Sequence, residues 1–297
     1  MIQHYTRVSL AGTLLLAAAC TLASCEGDGD LAAPDALVVT DADEDGHTAL
    51  LASGNEGEVT THLDRGGINF DLAESIDFLL PDGTTEPRVL VEGDLLLTPA
   101  EYEAMKPAPG ELQARQYRTF NLVSSPRTIR VLGYTGGGGQ GLTSTARTAL
   151  QWAVNNYNAL DIGLTFTLTF GTNTGAADMV IYRNPNESGA GGVAGFPSGG
   201  RPNKYIQLYA GLDGYDTNVQ EHVITHEIGH SVGLRHTDYA TRQSCGQSGE
   251  GAGADGAVRI PGTPSGYDAN SIMLACFGAN EDGEFGFYDR VALEYLY

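Results

Sequence analysis

The chain is short of the residues that several kinds of partner and site would need. Only 16 of its 297 residues are Lys or Arg, against 37 Asp or Glu, giving a net charge of −21. A duplex or single-stranded nucleic acid attracts basic surfaces, so nucleic acid is excluded as a partner. There are four cysteines, and no two of them stand in a CxxC spacing. A cysteine-built structural zinc site is therefore not written here. Beyond the first 24 residues no apolar run approaches the roughly 20 residues that span a bilayer. Tryptophan occurs once and histidine seven times.

Three of those seven histidines stand in one stretch. It reads His226-Glu227-Ile228-Gly229-His230-Ser231-Val232-Gly233-Leu234-Arg235-His236, an unbroken HExxHxxGxxH. On a helix, residues four apart lie on one face about 6 Å apart at Cβ, so His226 and His230 can reach one ion. A third ligand from the same face would require the helix to unwind. Gly233 can take a left-handed conformation, ending the helix and letting His236 arrive from the side. Three neutral nitrogens leave a zinc position open to water, which marks a catalytic site. Glu227, next to the first ligand, is placed to take a proton from that water.

With these residues in place, the chain resembles the metzincin clan of zinc endopeptidases. The string His226-Glu227-Ile228-Gly229-His230 is similar to that of the bacterial dual-action HEIGH metallopeptidases. The resemblance implies Zn2+ held by His226, His230 and His236, Glu227 as general base, and proteins or peptides as substrates. It also implies a methionine turn beneath the metal, and Ser271-Ile272-Met273 contains the only methionine after the zinc motif. The implied fold is α+β: a twisted mixed sheet, an active-site helix and the methionine turn, preceded by a small propeptide. Astacin- and serralysin-type members carry a tyrosine two residues after the turn methionine, and here that residue is Ala275. Tyrosine-assisted stabilisation of an oxyanion from that position is thus absent, which leaves more of the task to zinc.

Charge divides the chain. Residues 26–125 hold 21 acids and five bases, whereas residues 126–297 hold 16 acids and ten bases. Residues 1–24 read as a signal peptide, with Arg7 ahead of the apolar run Val8–Ala19. Leu22-Ala23-Ser24-Cys25 resembles a bacterial lipobox, implying a lipid on Cys25 and a cell-envelope or secreted location. An ordinary signal peptide is the alternative. Residues 25–56 form an acidic tether. Within it Asp41–Gly46 imitates a calcium loop, but Ala52 stands where the bidentate Glu belongs.

Residues 57–125 read as propeptide-like, with two strands across Arg88–Leu97 about a Gly93-Asp94 turn and a short helix from Thr98-Pro99. Val91-Glu92-Gly93-Asp94 resembles the aspartate switch of astacin propeptides, in which an Asp occupies the zinc position that water needs. A plain hairpin turn is the other reading.

The peptidase domain is placed at 126–297. Strands are expected at 128–134, 164–170, 178–182 and 204–209, the last as the edge that pairs with substrate. Helices are expected at 143–159, with Leu150, Trp152, Ala153 and Tyr157 facing the core, at 217–232 with a capping box from Thr217 to Gln220, and at 287–297. Residues 189–200 and 242–268 read as Gly-rich loops. Gly136–Gly141 matches GxGxxG, yet the next strand ends without the acid that a ribose would require. His222 reads as a wall residue of the site, and Asp238 as a partner either of a ligand imidazole or of the loop around Met273, with a surface loop acid as the alternative. Cys245 and Cys276, left after signal removal, suggest a disulfide, with two buried thiols as the alternative. A monomeric peptidase is the function these features favour. A non-peptidase zinc hydrolase and a lipid-anchored binding protein are the alternatives.

Overall fold

In a computed structural model, the residues described are 73–91, 93–104, 117–239, 241–246, 257–264 and 267–297. All lie within the second of two units into which the chain divides, residues 46–297. The expected signal peptide, lipidated Cys25, acidic tether and calcium-like Asp41–Gly46 lie outside the described residues.

The frame is a five-stranded mixed sheet built from β5 (Arg127–Tyr134), β6 (Leu164–Gly171), β7 (Met179–Asn184), β8 (Gly192–Val193) and β9 (Tyr205–Tyr209), in the order β6-β5-β7-β9-β8. The first four in that order run parallel, and β8 is antiparallel to β9. Parallel neighbours need a crossover, and α2 (Ser144–Ala159) supplies the one between β5 and β6. Alternation along each strand divides the side chains between two faces. Ile129, Val131, Met179, Ile181, Ile206 and Leu208 face one core. Leu132, Tyr134, Val180, Tyr182 and Tyr209 face another.

The first face is covered by helices. Thr143 caps α2, its hydroxyl accepting from Ala146 N at 3.1 Å. Ala146, Ala149, Leu150, Ala153, Val154 and Tyr157 form its buried stripe. Trp152, expected in the core, is instead 40% exposed, because it sits 100° round from Ala153 on the polar side. Helix α3 (Thr217–Val232) packs beside α2. Its cap is Asp216, accepting from Val219 N at 3.1 Å, one residue before the expected Thr217. Helix α4 (Phe287–Leu296) closes the core through Ala292 and Leu293.

The second face is covered by an antiparallel meander, β1 (Ala73–Leu79), β2 (Thr85–Val91) and β3 (Leu95–Leu97), followed by α1 (Pro99–Ala104). Phe78 and Leu96 reach across to the sheet. A polar tie joins the layers: Tyr182 and Gln207 both donate to the Leu79 carbonyl, at 2.6 and 3.0 Å. The expected strands and Gly-Asp turn across Arg88–Leu97 are present, with Val91 opposite Leu95. Thr98 and Glu101 cap α1 reciprocally.

Two further expectations are corrected. Residues 205–209 form an inner strand, and the sheet edge is β8, two residues inside the stretch read as a loop. The expected loop 242–268 likewise contains β10 (Val258–Arg259), which pairs with β4 (Tyr117–Arg118). Two-residue strands carry no periodicity, so neither could be read from sequence.

Candidate active site

Helix α3 carries the site and is buried on all sides from Val219 to Val232. It ends as the motif requires. Gly233 has φ 111°, and its N–H reaches back to the carbonyls of Gly229 and His230. The chain then reverses, and His236 comes to face the two helical histidines.

Each helical histidine is oriented by a carbonyl. His226 Nδ1 donates to Ile272 O at 2.8 Å, and His230 Nδ1 donates to Leu234 O at 2.9 Å. A carbonyl can only accept, so both rings carry their proton on Nδ1 and turn the lone pair of Nε2 inward. His230 Nε2 and His236 Nε2 stand 3.2 Å apart. Burial and the neighbouring imidazoles push the His226 pKa well down, which keeps its nitrogen available as a ligand. Asp94 joins them, with Oδ2 2.8 Å from His236 Nε2. One ligand atom from each of Asp94, His226, His230 and His236 falls within 4.8 Å of the others. Glu227 points into the same space. It is buried, its Oε2 has no hydrogen-bond partner, and burial followed by the charge of Asp94 pushes its pKa well up. The Asp94 Oδ1 is likewise buried and unpartnered. Buried polar atoms are rarely left unsatisfied, so this convergence of inward nitrogens and carboxylate oxygens fits a divalent cation.

The floor is the turn at Ser271-Ile272-Met273, as the resemblance implied. Met273 lies under Gly229, where an added Cβ would meet its sulfur at 2.4 Å. Met273 O accepts from Thr237 N at 2.7 Å. The turn is held from α4 by Asp289, which accepts from Ser271 Oγ at 2.7 Å and from Ile272 N at 2.9 Å. Asp289 thus holds Ile272, the residue whose carbonyl orients His226. Burial raises its pKa to about 6, against the lowering effect of these bonds. No motif drew attention to Asp289. An Asp three residues into a helix reads as an ordinary N-terminal cap, and it does also accept from Gly286 N at 2.9 Å.

Asp238 bonds the loop and not a ligand: its oxygens accept from Ala275 N at 3.0 Å and from Ser244 at 2.7–2.8 Å. Cys245 and Cys276 are joined as a disulfide across the same two loops. His222 stands apart from the metal-facing group, with Nδ1 2.9 Å from the Asp282 carbonyl and its ring against Phe277. The wall of the cleft is Gly192 on β8, where an added Cβ would lie 3.0 Å from Glu227. Glycine there is required by the close approach, a signal hidden among the many glycines of residues 189–200.

Among solved structures, two titled "Structure of Myroilysin" and "Crystal structure of myroilysin" are similar at 14% and 16% identity. They have TM-scores of 0.38 and 0.36, covering 59% and 58% of this chain and 81% and 83% of theirs. No curated protein matches. A family model described as dual-action HEIGH metallo-peptidase matches residues 89–297. That match runs over more than half of the chain and contains Asp94, Glu227 and all three histidines. The chain belongs to the dual-action HEIGH metallopeptidase family, and its metal is zinc.

Proposed function

We propose that the protein is an endopeptidase of metzincin type that cleaves protein substrates, and that residues 73–104 hold it latent. The carrying observation is the placement of Glu227 Oε2, buried and unpartnered, beside three inward-facing imidazoles.

His226, His230 and His236 would hold zinc, which supplies Lewis acidity toward water and the scissile carbonyl. The remaining work falls to the chain. Glu227 takes a proton from the attacking water and passes it to the leaving amine. Its burial raises its affinity for a proton, which suits it to hold one between the two transfers. Edge strand β8 offers backbone groups to an extended substrate. Removing the metal with a chelator is expected to abolish casein cleavage, and zinc to restore it. Activity untouched by the chelator would contradict this reading.

The latent form rests on Asp94. Gly93, with φ 95°, turns the chain so that Asp94 enters the site. Ala194 N donates to Asp94 O at 3.1 Å, Leu96 N donates to Ala194 O at 2.9 Å, and Leu95 bridges Ala194 in parallel. The segment thereby takes up backbone groups just past β8 and puts a carboxylate where water must enter. Asp94→Ala in the full chain is expected to show casein cleavage or self-cleavage before any processing. Full latency with zinc bound would restore the hairpin reading. The lipid anchor on Cys25 is proposed from sequence alone; Cys25→Ser is expected to move the protein from the membrane fraction to the soluble one.

A further inference from the structure

Residues 117–119 lie upstream of 126, where the sequence places the start of the peptidase domain, yet they touch the metal-ligand loop directly. Thr119 N donates to Gly233 O at 2.9 Å, and Arg235 N donates to Tyr117 O at 2.9 Å. Between those two bonds Arg118 bridges Leu234 in antiparallel fashion. The three residues thus form a short ladder with 233–235, the stretch between the second and third histidines. Its central residue, Leu234, supplies the carbonyl that orients His230.

The ladder is braced on both sides. Tyr117 and Arg118 pair outward with Arg259 and Val258. The buried Tyr117 ring meets Tyr239 edge-on at 4.3 Å. The Arg235 guanidinium lies 5.2 Å from the Tyr239 ring and 5.8 Å from that of Phe196, which in turn meets His230 edge-on at 5.7 Å. Asn121 and Leu122 then press against Gly233, leaving 3.0 Å or less for any Cβ at this left-handed residue. Downstream the chain stays attached: Val123 N donates to the Tyr297 hydroxyl at 3.3 Å, and Ser124 N to Gly200 O at 3.0 Å.

A helix that stops at a glycine leaves carbonyls without partners, and a ligand imidazole is only as fixed as the group that holds its second nitrogen. Residues 117–119 satisfy the first need and, through Leu234, serve the second. We infer that Tyr117–Thr119 is a positioning segment of the metal centre, acting on His230, and that any cut relieving the enzyme of Asp94 leaves this segment attached to the catalytic part. The inference rests on His230 being a zinc ligand, so its test reads metal binding directly and does not depend on peptidase activity.

The full-length protein would be loaded with zinc and titrated with a competing chelator, and a cobalt-substituted sample would report ligand geometry through its visible spectrum. Thr119→Pro removes the N–H that Gly233 O accepts. It is expected to weaken zinc binding roughly 10–100-fold and to shift the cobalt bands. Tyr117→Ala should weaken binding about tenfold, with recovery in Tyr117→Phe. Phe120→Ala, in the same segment but 63% exposed, should match wild type. Should Thr119→Pro fail to fold by circular dichroism, the Tyr117 pair decides alone. Zinc affinity and cobalt spectrum unchanged in folded Tyr117→Ala would overturn the inference. So would an active processed chain whose first residue lies beyond Thr119; a first residue at or before Tyr117 supports it.

Discussion

Helices α2 and α3 have 16 residues each and lie against each other, but they are built on opposite rules. Helix α2 buries six apolar residues on one stripe and shows solvent its polar ones. Helix α3 buries everything from Val219 onward, including Gln220, Glu221, His222, Thr225, His226, Glu227, His230 and Ser231. Buried polar groups demand partners, and most of these have them in neighbouring carbonyls, Asn156 or the opposing imidazoles. The difference teaches where to look for chemistry. In α2 a polar side chain is spare surface, whereas in α3 it either holds something or is left over, and what is left over at the metal site is Glu227 Oε2.

The most severe way to break the contrast is to remove that group. Glu227→Ala is expected to lower casein cleavage roughly 10²–10⁴-fold while zinc content, measured by metal analysis, stays at wild-type level. A zinc-free variant would contradict the assignment of Glu227 as a base and not a ligand. Gln151→Ala, a polar deletion on the exposed face of α2, should leave both quantities unchanged.

The same contrast explains what the sequence could reveal. Helix α2 was legible through period, because Leu150, Ala153 and Tyr157, read as core from the sequence, stand at helical spacing and are buried. Only Trp152 misled, since an indole at one helix position looks apolar wherever it points. Helix α3 has no stripe to detect: its start was legible to within one residue of the cap through a capping pattern, and its C-terminal end and ligands through the fixed spacing of His226, His230, Gly233 and His236. Residues joined by long-range hydrogen bonds left no such trace. Asp289 reads as a capping residue and Gly192 as one glycine in a loop, while Tyr117–Thr119 falls in a stretch without periodicity. Each acts by what folding brings beside it. Asp94 lay between, since its Gly-Asp turn was visible but its 2.8 Å approach to His236 required the fold.

A milder perturbation is a methyl group. Replacing Gly by Ala in a helix ordinarily stabilises by about 1 kcal/mol. At Gly229 the sign should reverse, because the new Cβ would lie 2.4 Å from Met273 Sδ in a closely packed floor. Gly229→Ala is expected to cost about 1–3 kcal/mol in denaturant unfolding. Thr148→Ala on the exposed side of α2 should instead gain a few tenths of a kcal/mol, as propensity dictates. A stabilised Gly229→Ala would mean that the turn beneath the metal yields, and that the two helices obey one rule after all.

The smallest effect sits where the two helices meet. Glu221 of α3 accepts from Asn156 of α2 at 3.0 Å, at the wall of a cavity of about 380 Å³ also lined by Trp152, Asp282 and Glu284. Burial, then the charges of Glu284 and Asp282, raise its pKa from the usual 4.5 to about 7. A carboxyl whose folded pKa exceeds its unfolded one holds its proton more tightly in the folded state. Its ionisation therefore removes stability as pH rises from about 4.5 to about 7, and the loss is complete above that. Glu221→Gln keeps an oxygen for Asn156 and cannot ionise. Its melting temperature should match wild type near pH 4.5 and exceed it at pH 8 by a few degrees, on the order of 1 kcal/mol once solvent screening in the cavity is allowed for. Equal melting temperatures at pH 8 would show that the charge of Glu221 is well solvated there, and that α3 exposes one polar side chain after the manner of α2.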